Sequence, residues 1–110
     1  MKHSVIFLLL AAAALLEAGG DALVRQGLRS SAVTPRLLFF IAGAAVLFVY
    51  GWTVNRPPWD FGRLLGVYVV FFFLFAQLIS WWVFHQRPST GVLIGGGFIA
   101  IGGIIVALAT

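Results

Sequence analysis

Four apolar runs occupy nearly all of this chain, and only short links separate them. A helix needs about 20 mostly apolar residues to cross about 30 Å of hydrocarbon. Residues 3–23, 37–54, 64–84 and 90–108 each meet that length. The links, 24–36, 55–63 and 85–89, are too short to hold a soluble domain. The spacing therefore predicts an all-α membrane protein, with residues 1–110 forming a single four-helix transmembrane unit.

Composition enters where the solvent must be named. Of the 110 residues, 62% are hydrophobic and only 9% carry charge, against about 25% in a soluble domain. Disorder, an ordinary soluble globule and a nucleic-acid-binding domain are excluded on that ground. The net charge of +4 comes from basic residues scattered between apolar runs, with no basic stretch to track a phosphate backbone. With no cysteine, there is neither a disulfide framework nor a thiolate metal site.

Punctuation supports the division. Thr34-Pro35 predicts a cap residue and a first-turn proline for the second span. Asn55-Arg56-Pro57-Pro58 cannot continue a helix, and Pro88-Ser89-Thr90 breaks the chain again. Trp52, Trp59, Trp81 and Trp82 all fall near predicted span ends, where an aromatic belt belongs. A cleaved signal peptide is the rival reading of Lys2, the apolar run behind it and Ala11 to Ala14. The run continues past Glu17, which favours a span. Lys2, Arg56 and Arg63 lie on one side of the predicted bilayer, and Arg25, Arg29, Arg36 and Arg87 on the other. Such balance gives almost no positive-inside bias, so insertion in both orientations is one expectation and a single orientation set by other signals is the second.

Glu17 sits inside the first span between Leu16 and Ala18. A charge at that depth costs a few kcal/mol or more, and such groups face a bundle interior or a cavity. On a helix its neighbours are Leu10, Ala13, Ala14, Gly20 and Asp21, mostly small, which leaves room for a close helix or a ligand. The plain alternative is a carboxylate satisfied by an arginine. Asp21 and Arg25 have the spacing of a helical ion pair, although Asp21 could also stand at the mouth of a Glu17 site.

In the third span Tyr68, Phe72, Phe75, Ile79 and Trp82 recur at helical steps, with Phe71 and Phe73 broadening the stripe. Such a stripe can be plain packing. Beside an acidic site, aromatic faces also attract cations, and the Tyr68 hydroxyl could hydrogen-bond Glu17. Gln77 and Trp81 lie on another face, where a buried amide needs a partner. In the fourth span Gly91, Gly95 and Gly102 form one small-residue face, and Gly96, Ala100, Gly103 and Ala107 another. Glycines let membrane helices approach closely, either within one subunit or between two. Four short spans with one acidic residue enclose little by themselves, which favours a dimer that brings a second Glu17. Neither a phosphate-binding loop, a metal-ligand cluster, a catalytic serine nor a cofactor motif is present, so neither enzyme activity nor a cofactor is expected.

The pattern Glu17-x-x-Gly20, then Ser80-Trp81, Gln86-Arg87, Gly95 and Gly102, resembles the small multidrug resistance superfamily across nearly the whole chain. Gly66-Val67-Tyr68-Val69 and Thr90-Gly91 also look like a less studied branch of it. The resemblance implies an antiparallel homodimer in the bacterial inner membrane that exports small organic cations in exchange for protons. It implies that Glu17 is shared by proton and substrate, that Tyr68 lines the site, and that Gly95 and Gly102 make the dimer contact. Ala13, Gly20, Asp21, Phe72 and Trp81 are further candidates for the lining. The chain departs from that pattern in span three, where Val70, Phe71 and Phe72 replace the usual glycines, and in span two, where Gly43 to Ala45 replace an aromatic residue. Two other functions fit the same residues: a small membrane subunit without transport of its own, and a flippase-like carrier that binds a lipid headgroup near Glu17.

Overall fold

A computed structural model describes residues 1–109, and among them each apolar run is a helix. The order is α1 (His3–Arg29), α2 (Val33–Val54), α3 (Phe61–Trp82) and α4 (Thr90–Leu108). All four are long and apolar enough to cross a membrane. At 1.5 Å per residue, α1 is about 40 Å long and overshoots the hydrocarbon, whereas α4 is about 28 Å and barely spans it.

The overshoot of α1 differs from the expected end near residue 23. Arg25, Gln26, Leu28 and Arg29 end the apolar run, but all are good helix formers, so the backbone continues. Gly27 is buried because Phe39 and Phe40 of α2 close over it. The Ser30 hydroxyl then donates to the Gln26 carbonyl at 2.9 Å, and the Ser30 amide to Gly27 at 3.2 Å. The link to α2 shrinks to residues 30–32. At the start of α2, Thr34 does not cap. Ala32 takes the N-cap position without a side-chain bond, and Pro35 sits in the first turn, where amides have no helical partner. The Ser89 hydroxyl does cap α4, accepting from the Val92 amide at 3.2 Å.

Helix α1 is the hub, packed along α2 and α3, and α4 rests mainly on α3. Small residues set the α1–α2 approach. A methyl at Gly20 would meet Leu47 at 2.7 Å, and one at Gly43 would meet Val24 at 2.8 Å. The buried core joins Ile6, Leu10, Ala13 and Ala14 of α1 to Val54 of α2 and Leu64, Val67 and Tyr68 of α3.

The two small-residue faces of α4 separate cleanly. Gly96 packs on Phe73, and Gly103 packs on Val70. Arg63 of α3 donates to the Ala107 carbonyl at 2.8 Å and lies over the Trp59 ring at 4.4 Å. Gly95, Gly97 and Gly102, by contrast, face open space. Leu93, Ile94, Phe98, Ile101, Ile104 and Ile105 are exposed around them. A surface this apolar is a lipid- or partner-facing surface, not a water-facing one, and the chain is an integral membrane protein.

Candidate functional site

Tyr68 places its hydroxyl within the α1–α3 contact because it occupies the α3 face that packs on Ala13 and Ala14. The ring is 3% exposed, so its hydroxyl needs a partner. It has two acceptors: Glu17 Oε1 at 2.8 Å and the Ala13 carbonyl at 3.3 Å. Residues 51 positions apart in sequence thus share one polar contact deep in an apolar seam. Glu17 is half-buried and has one carboxylate oxygen in that contact.

A cavity of about 580 Å3 begins one turn away, between α1 and α3. That volume suits a small-molecule ligand. Ala18, Asp21 and Ala22 form its α1 wall, and Phe72, Ala76 and Ile79 its α3 wall. Arg25, Arg29 and Phe84 stand at its outer end. The aromatic neighbours continue inward: the Phe72 ring lies 6.3 Å from that of Tyr68, and the Tyr50 ring of α2 lies 5.7 Å from it on the other side.

The expected ion pair of Asp21 with Arg25 is not formed. The Arg25 guanidinium instead lies over the Phe84 ring at 5.2 Å, and Arg29 lies over the same ring at 5.4 Å. Phe84 follows directly on the last turn of α3, where the Val83 amide still donates to the Ile79 carbonyl at 2.8 Å, and the chain reverses beyond it. His85 takes φ 56°, in the left-handed region that few non-glycine residues adopt. The Gln86 amide then donates back to the Ser80 carbonyl at 3.0 Å. Asp21 is left exposed on the cavity wall, one turn from Glu17.

The candidates from the sequence therefore divide. Glu17, Tyr68 and Ala13 meet directly, and Asp21 and Phe72 line the cavity beside them. Gly20 does not face it, because its small size serves the contact with Leu47 of α2. Trp81 is exposed and stacks with Arg87 at 5.4 Å, away from the cavity. Gly95 and Gly102 are on the uncovered face of α4. Val70 and Phe71, which the sequence marks as bulky departures in the middle of span three, are committed to packing on Gly103 and Phe7.

Sequence reasoning missed Tyr50 and Phe84. Tyr50 supplies from α2 the aromatic group that Gly43 to Ala45 lack, two turns later in the helix. A hydroxyl-bearing ring inside an apolar run was the available signal. Phe84 gave no signal, because only the packing of the end of α3 on the end of α1 brings its ring to Arg25 and Arg29.

The family model described as "Uncharacterised BCR, YnfA/UPF0060 family" matches residues 2–110. A protein of Herpetosiphon aurantiacus named as a UPF0060 membrane protein is 31% identical over 104 residues, covering 93% of this chain and 89% of that one. No solved structure matches.

Proposed function

The chain belongs to the YnfA/UPF0060 family of membrane proteins, and from that premise we propose that it is a proton-coupled secondary transporter. Its cargo in this reading is a small organic cation of the quaternary ammonium or guanidinium class. It works in the bacterial inner membrane as an antiparallel homodimer, on the pattern of the small multidrug resistance superfamily. The observation that carries the reading is the Glu17–Tyr68 contact at 2.8 Å beside a cavity that Phe72 and Phe84 help to line.

The chemistry is competition for one carboxylate. A cation paired with ionised Glu17 excludes a proton, and a proton on Glu17 removes the charge that holds the cation. Tyr68 fixes the carboxylate's position, and the faces of Phe72 and Tyr50 offer cation–π contact. In a dimer the two Glu17 groups would titrate as a coupled pair. The uncovered face of α4 with Gly95 and Gly102 supports a second copy there. Rearrangement of the helices would then expose the site to each side in turn.

The test is uptake of tetraethylammonium and guanidinium into proteoliposomes with an imposed proton gradient. Wild type is expected to move the cation against its gradient, and binding should weaken as pH falls. Glu17→Gln is expected to abolish coupled movement. Coupled movement that survives in Glu17→Gln would refute the reading.

A further inference from the structure

Along α1, at four-residue steps, stand two acids and then two bases: Glu17, Asp21, Arg25 and Arg29. The order has a direction. The acids lie toward the middle of the span and the bases toward the end that overshoots it. Neither base is spent on either acid, since both guanidiniums rest on the Phe84 ring. Asp21, Arg25 and Arg29 all line the same cavity. At 1.5 Å per residue, Asp21 and Arg25 are separated by about 6 Å of helix, and Asp21 and Arg29 by about 12 Å.

We propose that the α1–α3 cavity takes a dipolar substrate, with its cationic nitrogen at the Asp21 end, one turn from Glu17, and an anionic group, carboxylate or phosphate, held by Arg25 and Arg29 over Phe84. The proposal rests on the transport reading of Glu17 and narrows its cargo. A simple cation would leave both guanidiniums of a drug-sized cavity without use and would meet their repulsion at the entrance. A dipolar one matches the field at both ends. Phe84 holds both guanidiniums over its ring, a contact that consumes no N–H donor and so leaves them for an oxyanion. The walls between the two ends are mostly apolar, with Ala22, Phe72, Ala76 and Ile79 beside Ser80 and Gln86, so the bond path joining the two charges needs no charged group. A lipid phosphate in the ordinary orientation fits less well, because its acyl chains would run inward past Asp21.

The test uses probes on the wild-type protein, so it does not depend on a variant folding. Binding of γ-trimethylammoniobutyrate is compared with binding of its methyl ester and of pentyltrimethylammonium, by calorimetry in detergent. All three share the cationic head, and only the first carries an anion about one helical turn away. The expected result is that the dipolar probe binds about tenfold tighter than the other two, the increment of a single charge-assisted contact. In Arg25→Gln/Arg29→Gln that ratio should fall to about one. Equal binding of all three to wild type overturns the proposal and leaves the cation site standing. Failure of all three to bind, or binding that Glu17→Gln does not alter, overturns the transport reading along with it. If the three bind alike and native mass spectrometry shows an anionic lipid lost only from the arginine variant, the arginines serve the bilayer and the proposal is overturned.

Discussion

Gly102 and Gly103 are adjacent on α4, yet a methyl group should have opposite consequences at the two positions. At Gly102 it enters open space, and at Gly103 it overlaps the Cγ2 atom of Val70, with the Val70 Cβ 3.5 Å away and the Gly66 carbonyl oxygen 3.8 Å away. Val70 cannot swing aside cheaply, because a β-branched side chain in a helix has one strongly preferred rotamer. The helices must separate instead. Overpacking of this kind costs about 1–3 kcal/mol. Glycine to alanine within a helix also gains up to about 1 kcal/mol of propensity, and that gain is common to both positions. The difference between Gly103→Ala and Gly102→Ala therefore isolates the steric cost, about 1–3 kcal/mol. Reversible unfolding by denaturing detergent, followed by tryptophan fluorescence, measures it. Both variants must be held in micelles where light scattering shows the same oligomeric state. Adding Val70→Ala to Gly103→Ala should recover most of the loss. Equal stability of the two single variants, or no recovery in the double variant, would show that α3 and α4 do not pack through this face.

Tyr68→Phe removes the donor to Glu17, a bond to a charged group worth about 1.5–3 kcal/mol, and should lower the unfolding midpoint in the same assay; no change would mean that the contact is not formed. Arg63→Gln removes the hold on the Ala107 carbonyl, and hydrogen exchange at residues 105–109 should quicken relative to wild type. Ser89→Ala should cost about 1 kcal/mol through loss of the α4 cap, whereas Thr34→Ala, which caps nothing, should be near neutral. His85→Gly should stabilise by about 1 kcal/mol through relief of left-handed backbone, and an unchanged midpoint would argue against the left-handed turn that follows Phe84.

The helices were legible because lipid imposes a length that hydropathy alone reveals. Their ends were less so. Arg25 and Arg29 mark where α1 leaves hydrocarbon, not where it stops being a helix, and Thr34 resembles a cap although Ala32 holds that position. Glu17 stood out at once because a carboxylate is costly within a span, and Tyr68 because it alone in its stripe carries a hydroxyl. Asp21 with Arg25 misled. Four-residue spacing permits an ion pair but does not compel one when a competing ring, Phe84, arrives from residues far along the chain. The glycines of α4 were ambiguous for a related reason: two faces of similar composition differ only in which one α3 covers, and packing partners decide that, not periodicity.

The Tyr68 hydroxyl has a mechanical consequence. Among the described residues, both side-chain hydrogen bonds that join α1 to α3, to Glu17 and to the Ala13 carbonyl, run through that single oxygen. The remainder of the seam is apolar contact, which resists sliding only weakly, and α2 and α4 flank it on either side. Helices α1 and α3 thus share one polar latch set in a common apolar core. On the transport reading, whatever occupies Glu17 would compete with that latch directly, so loading the site would loosen the contact between α1 and α3.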